Sequence, residues 1–315
     1  MKPVVPFVSS AGPAEQDVWL TELPKALRTI ASVKHLEHLS PAEAAAAKVA
    51  IVANPDVRDL RRLPALEWVH SLWAGVERLT AELPEDGPKI VRMTDPQMAE
   101  TMAEAVLAWT LYLHRDMPRY AQQQRVGLWL EHRLRLPHQR RVSVLGLGRL
   151  GTAAALRLMD NGFDVAGWSR TPRTLNGVHT AHGDTGLRSI LERTDIAVVL
   201  VPLTAQTREL LNTDALKSLP KGASLINFAR GPIIDTRSLL QELDRGHLDH
   251  AVLDVFDEEP LPASSPLWSH PKITVLPHIS APTIPETACR LLARNIRTYL
   301  ETGAIPDHVD HSRGY

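Results

Sequence analysis

Three polar residues stand just past three apolar, strand-like runs in the second half of this 315-residue chain: Arg230 in NFARGP, Glu259 in DVFDEEPLP and His278 in VLPHIS. They are far apart in sequence, so only a fold can unite them. In open α/β sheets, ligands bind outside the carboxyl ends of strands, and all three positions answer that description. Their side chains suit the reduction of a 2-oxo acid. A guanidinium such as Arg230 grips a carboxylate in a planar fork and polarises the adjacent oxo group. An imidazole such as His278 can give up a proton as hydride reaches carbon. A carboxylate such as Glu259 beside it favours the imidazolium and fixes the ring's orientation. Taken singly, the arginine and glutamate read as solvated surface residues and the histidine as a structural one. Their weight comes from standing together with a cofactor-binding turn.

That turn is VSVLGLGRLGTAAALRL, in which Gly146, Gly148 and Gly151 have G-x-G-x-x-G spacing between a strand-like run and a helix-like one. The first glycine permits the tight turn, the second lets a pyrophosphate approach the backbone, and the third lets helix and strand pack closely. The amides of Arg149 and Leu150 then face a diphosphate at the helix N-terminus. A dinucleotide site usually carries an acid about 20 residues on, to read the ribose 2′-hydroxyl. Here that place holds GWSRTPRT (167–174), with Ser169, Arg170, Thr171 and Arg173 and no carboxylate; Asp164 lies at the wrong end of the preceding strand. Guanidinium and hydroxyl groups bind a 2′-phosphate that a carboxylate would repel. The expected cofactor is therefore NADP(H), with NADPH preferred over NADH. Solvent-exposed arginines without a ligand are the plainer alternative.

The elements that must position these residues alternate strand and helix. RVSVLG (141–146), FDVAGW (163–168), IAVVLV (196–201), SLINF (224–228), AVLDVF (251–256) and ITVL (273–276) read as strands. Helices between them are predicted over 151–162, from Asp184-Thr185 to Arg193, after Thr213 and after Asp235. Near-continuous apolar strands alternating with helices mean a parallel sheet covered on both faces, and right-handed crossovers make it doubly wound, the Rossmann arrangement. The first part alternates too, with strands at 4–8, 49–53, 68–72 and 89–92 and a helix around 14–30, and reads as a smaller, flavodoxin-like α/β domain. One long helix is expected over 95–124, linking the two, and a last helix over 286–301 returns to the first domain. The expected domains are residues 1–96 with 286–315 for substrate and 97–285 for dinucleotide.

Bulk properties narrow the function. A net charge of −1 gives no global electrostatic case for nucleic acid or an anionic membrane. Hydrophobic content of 44% and charged content of 23% are ordinary for a soluble globular chain. No stretch approaches the roughly 18 apolar residues of a membrane helix, and Pro3 and Pro6 interrupt the N-terminal apolar run that a secretory signal would need. The single cysteine, Cys289, reads as a passive thiol and fits a reducing cytoplasm. HLEH (35–38) and HLDH (247–250) pair histidines at i and i+3, but neither has the H-E-x-x-H spacing of a zinc helix, so no metal is expected. Basic residues at 132–141 read as a solvated boundary.

On its motifs the chain resembles the D-2-hydroxyacid dehydrogenases over nearly its whole length. VLGLGRLG, VPLTAQTRELLN through LPKGASLINFARG, LDVFDEEPLP and LPHISA are similar to that family's cofactor, arginine, glutamate and histidine segments. SRT, SPLWSHPKITVLPH and VDHSRGY are similar to its glyoxylate/hydroxypyruvate reductase A branch. The resemblance implies an enzyme that reduces small 2-oxo acids, such as glyoxylate and hydroxypyruvate, with Arg230, Glu259 and His278 as the catalytic set and His278 the acid/base. It also implies that backbone amides of SLWAGVERL, at Ala74, Gly75 and Val76, hold the substrate carboxylate. Pro202, Leu203, Thr204 and Asp254 fall by the nicotinamide half. Trp129 falls in a segment that reaches toward a partner's site in a homodimer formed through the cofactor domain. Trp73 departs from the small residue common in relatives, and either narrows the pocket or packs against its own domain. A dehydrogenase for a bulkier 2-oxo acid and a dinucleotide-sensing interaction protein remain as alternative functions.

Overall fold

Short runs of Val, Ile and Leu alternate with helices throughout, and every strand pairing is parallel. The computed structural model describes residues 2–311, which fall into two units divided at Gln97/Met98 and at Pro282/Thr283. The end of VDHSRGY, residues 312–315, lies outside the described residues.

The first unit holds β1 (Val4–Ser9), α1 (Pro13–Leu27), β2 (Ser32–His35), α2 (Pro41–Ala46), β3 (Val49–Ala53), α3 (Val57–Leu60), β4 (Trp68–Ser71), α4 (Glu77–Glu82) and β5 (Lys89–Val91). Its strands lie in the order β2-β1-β3-β4-β5, the flavodoxin-like arrangement. The central strand β3, VAIVA, is buried at every position because helices cover both faces. β2 was not among the strands predicted. It is a four-residue edge strand, SVKH, partly open to solvent, and lacks the apolar run that marks a central strand.

The helix expected over 95–124 is two helices, α5 (Pro96–His114) and α6 (Met117–Arg125). Continuing the first would drive the Pro118 ring into the His114 carbonyl one turn back, so the chain breaks at Asp116, which takes a left-handed φ of 54°.

The second unit continues with β6 (Arg141–Leu145), α7 (Arg149–Asp160), β7 (Asp164–Ser169), β8 (His179–His182), α8 (Gly183–Leu191), β9 (Ile196–Val199), α9 (Thr213–Ser218), β10 (Ala223–Asn227), α10 (Thr236–Asp244), β11 (Leu248–Leu253) and β12 (Ile273–Val275). Strand order is β12-β11-β10-β9-β6-β7-β8, a doubly wound Rossmann sheet whose direction of winding reverses between β6 and β9. Alternate residues serve opposite faces. Val142, Val144, Ile196, Val198 and Val252 join one core, while Leu145, Ala197, Val199, Leu225 and Leu253 join the other. Asp235 caps α10 as predicted, accepting the Arg237 and Ser238 amides. The cap of α9 is Asn212 rather than Thr213, one residue earlier. β8 went unpredicted for the same reason as β2: it is the polar edge strand HTAH.

The last helix, α11 (Pro285–Thr302), belongs to the first unit and packs on α1. Tyr299 donates to Glu67 at 2.6 Å, and Asn295 meets His70 Nε2 at 3.0 Å. His70 is fully buried, which pushes its imidazole down to about 4. Cys289 is buried in the same helix, and burial pushes its thiol up to about 12, so it stays protonated and unreactive at neutral pH.

Candidate active site

Arg230, Glu259 and His278 follow β10, β11 and β12, three adjacent strands of the larger sheet, so their loops lie side by side at its carboxyl edge. Glu259 and His278 touch: Nδ1 of the imidazole is 2.7 Å from Oε2 of the carboxylate. Since a carboxylate only accepts, Nδ1 carries the proton and donates it. The other carboxylate oxygen, Oε1, accepts the Phe256 amide at 2.9 Å, which ties the ring to the backbone after β11. His278 itself has a left-handed φ of 54°, unusual for a residue with a side chain. The buried carboxylate of Asp254 secures that turn. Oδ1 accepts the Ile279 amide at 2.7 Å and Oδ2 the Ser280 amide at 2.9 Å. Arg230 is partly buried, and its turn is closed by Asn227, which donates to the Arg230 carbonyl at 3.0 Å and accepts the Ala229 amide at 3.2 Å.

The glycine turn follows β6, where the winding reverses. A Cβ on Gly151 would lie 1.7 Å from the Gly146 carbonyl oxygen, and one on Gly146 would lie 2.7 Å from the Leu200 backbone. Gly146 also takes a φ of 108°. These two glycines are demanded by the fold. Gly148 differs: among the described residues, a Cβ there meets nothing within 4 Å. It precedes the first turn of α7, which Arg149 and Leu150 begin with backbone amides that point out of the helix end. The arrangement fits an incoming diphosphate.

At the end of β7, Ser169 is buried and its hydroxyl donates to the Thr171 carbonyl at 2.7 Å, folding the SRT segment into a turn. Arg170 donates through Nη1 to Oε1 of Gln206, and Arg173 is exposed. Pro202, Leu203 and Thr204 lie in the loop after β9, and the Thr204 amide bonds to the Thr207 hydroxyl at 2.8 Å.

The family model described as "D-isomer specific 2-hydroxyacid dehydrogenase, NAD binding domain" matches residues 107–280, which include the glycine turn and all three strand-end residues. The chain belongs to the D-isomer specific 2-hydroxyacid dehydrogenase family. It is 38% identical to the glyoxylate/hydroxypyruvate reductase A of Yersinia enterocolitica over 282 residues, 85% of this chain and 88% of that one. Among solved structures, it is similar to a D-isomer specific 2-hydroxyacid dehydrogenase from Xanthobacter autotrophicus in complex with NADPH and MES. That match has 39% identity, a TM-score of 0.92 and full coverage of both chains. It is also similar, at 29% identity and a TM-score of 0.86 over the whole of both chains, to an NADPH-dependent glyoxylate/hydroxypyruvate reductase from Sinorhizobium meliloti in complex with NADP and sulfate.

The remaining positions that the family resemblance singles out lie as follows. In the first unit, residues 72–76 join β4 to α4. The Trp73 ring packs edge-on against Trp19 of α1, with centroids 5.9 Å apart, so packing within its own unit accounts for at least one side of its bulk. Its carbonyl accepts the Met93 amide at 3.0 Å, and its own amide donates to Ser71 Oγ at 3.0 Å. Ala74 and Gly75 precede Val76, the N-cap residue of α4. In the second unit, Trp129 is 94% exposed within a non-helical segment, 126–136. Gln123, donating to the Leu130 carbonyl at 2.8 Å, and Tyr120, accepting the His132 amide at 3.0 Å, pin that segment to α6. His35 and His38 stack edge-on, and His250 bonds to Thr274. Among the described residues, no group of three or more His, Cys, Asp or Glu is placed to hold a metal, and no helix is long and apolar enough to cross a membrane.

Two roles escaped the sequence reading. Asp254 clamps the His278 turn, which depends on two amides 25 and 26 residues later. Gln206 meets Arg170 across 36 residues. Neither relation has a signature in spacing, although both residues lie inside family segments.

Proposed function

We propose that this protein is an NADPH-dependent reductase of small 2-oxo acids, converting glyoxylate to glycolate and hydroxypyruvate to D-glycerate. The observation that carries the reading is the contact of His278 with Glu259 at the sheet edge, one loop away from Arg230. In the imidazolium, with Nδ1 donating to Glu259, Nε2 carries the second proton and gives it to the substrate's oxo oxygen, which leaves a neutral imidazole. Bound NADPH supplies the hydride that the carbonyl carbon accepts. Arg230 grips the substrate carboxylate and polarises the oxo group. By the family resemblance, Ala74, Gly75 and Val76, with Trp73, are the substrate-binding residues of the first unit. The first unit thereby serves substrate and the second the dinucleotide.

Gly146, Gly148 and Gly151, with the Arg149 and Leu150 amides, cradle the diphosphate. Ser169, Arg170, Thr171 and Arg173 take the 2′-phosphate, and Pro202, Leu203, Thr204 and Asp254 border the nicotinamide. NADPH and NADP in the two solved relatives support this choice. The pinned apolar segment around Trp129 serves a homodimer formed through the cofactor unit. The one cysteine, buried and reduced, suits a cytoplasmic enzyme.

The test is oxidation of NADPH and of NADH, followed by absorbance, with a panel of 2-oxo acids of increasing size. Turnover of glyoxylate and hydroxypyruvate with NADPH ahead of NADH is expected. Turnover only of bulkier acids would move the substrate assignment. Tight NADPH binding with no turnover on any acid would replace the enzyme by a dinucleotide sensor.

A further inference from the structure

Strands β7 and β9 flank β6, so the loops that follow them border the glycine turn from opposite sides. Arg170 stands at the head of one loop and Gln206 in the other, and the hydrogen bond from Arg170 Nη1 to Gln206 Oε1 joins them. The Gln206 loop is firmly built. Its Thr207 hydroxyl accepts the Thr204 amide at 2.8 Å and donates to the Pro202 carbonyl at 2.6 Å. The Thr207 and Arg208 amides both donate to the Thr204 carbonyl, at 3.1 and 3.0 Å, and the Glu209 amide reaches the Pro232 carbonyl at 2.8 Å. Gln206 is exposed, yet its backbone cannot wander.

We infer that Gln206 is a positioning residue for the 2′-phosphate end of the cofactor, holding the Arg170 guanidinium in place before the ligand arrives. This rests on the NADPH reading above and adds to it a residue outside the SRT segment. An arginine loses rotamer freedom when it clamps a phosphate, and one already held has less to lose. The neutrality of the amide matters as well. A carboxylate at this position would also accept from Arg170, but it would set a negative charge near the 2′-phosphate and offset the guanidinium. Glutamine orients the cation without adding a charge that opposes the ligand.

The experiment measures binding of 2′,5′-ADP and of 5′-AMP to the full chain by calorimetry. These probes differ only in the 2′-phosphate. Gln206→Met keeps the side chain's length and removes the acceptor. It should weaken 2′,5′-ADP about fivefold, the ordering cost of one long side chain, and leave 5′-AMP within about twofold. Gln206→Glu keeps an acceptor and adds charge, so it should weaken 2′,5′-ADP more than Gln206→Met does, again sparing 5′-AMP. An unchanged ratio of the two affinities in both variants, or equal weakening of both probes, overturns the inference. A wild-type chain that binds the two probes equally overturns the NADPH reading itself, and the inference with it.

Discussion

One carboxylate, Glu259, accepts from both the His278 ring at 2.7 Å and the Phe256 amide at 2.9 Å, so the imidazole is aimed by the backbone that follows β11. Glu259→Gln leaves one acceptor oxygen for two donors and sets an NH2 against one of them. The expected result is a kcat lower by about tenfold or more with KM for NADPH little changed. His278→Ala should cost about 10²- to 10⁴-fold, the range of a general acid. Steady-state kinetics check both, and a kcat within twofold of wild type in His278→Ala would remove the histidine from the mechanism.

Asp254 predicts a stability effect that needs no cofactor. In Asp254→Ala the buried Ser280 amide loses its acceptor, and the left-handed turn at His278 loses its clamp. Urea unfolding should register a loss of about 1–3 kcal/mol, the cost of one buried unsatisfied donor. A smaller loss would mean that water or a neighbour takes the place of the carboxylate.

Gly151 and Gly148 should separate by function. Gly151→Ala puts a Cβ 1.7 Å from the Gly146 carbonyl, so the turn must rearrange, and thermal melting should fall by several degrees. Gly148→Ala meets no atom of the described residues within 4 Å and should melt near wild type. Its NADPH affinity should nevertheless fall, since the methyl group enters the space a diphosphate approaches. Melting curves and cofactor titrations on the two variants distinguish these outcomes.

Buried histidines set a pH dependence: His70, His250 and His114, the last also lowered by burial. Burial pushes both His70 and His250 down to about 4 from the usual 6.5. Above about pH 7 both are neutral whether folded or unfolded and contribute no slope. As pH falls below 6.5 the unfolded chain takes up protons that the folded one refuses, so stability declines toward pH 4. Urea midpoints at pH 7.5, 6 and 5 should drop in that order, and His250→Gln should make the slope shallower. A flat profile over this range would count against the burial argument.

Trp129, almost wholly exposed on a segment pinned at both Gln123 and Tyr120, predicts a contact with another copy. Light scattering should give twice the chain mass, and Trp129→Ala should shift the equilibrium toward single chains at low concentration. A wild-type chain that stays single at high concentration would leave this surface without the proposed role.

Much of the protein was legible in the linear text because the signals are local. A β-branched run such as IAVVLV declares a central strand by burial on both faces, G-x-G-x-x-G states its own backbone geometry, and Asp235 marks the start of α10. The candidate chemical groups were legible too, as polar residues stationed where apolar strands end. The polar edge strands Ser32–His35 and His179–His182 carry no such run, since an edge needs little burial and pairs on one side only. The break at Asp116 was written in Pro118, whose ring a continuous helix does not tolerate. What only the tertiary structure decided is which distant groups meet: Glu259 with His278, Asp254 with the amides beyond His278, Gln206 with Arg170. Residue type and spacing determine what each strand end can do, whereas strand order determines which ends are neighbours. That order is set by packing and crossover geometry over the whole sheet, and no short window of sequence contains it.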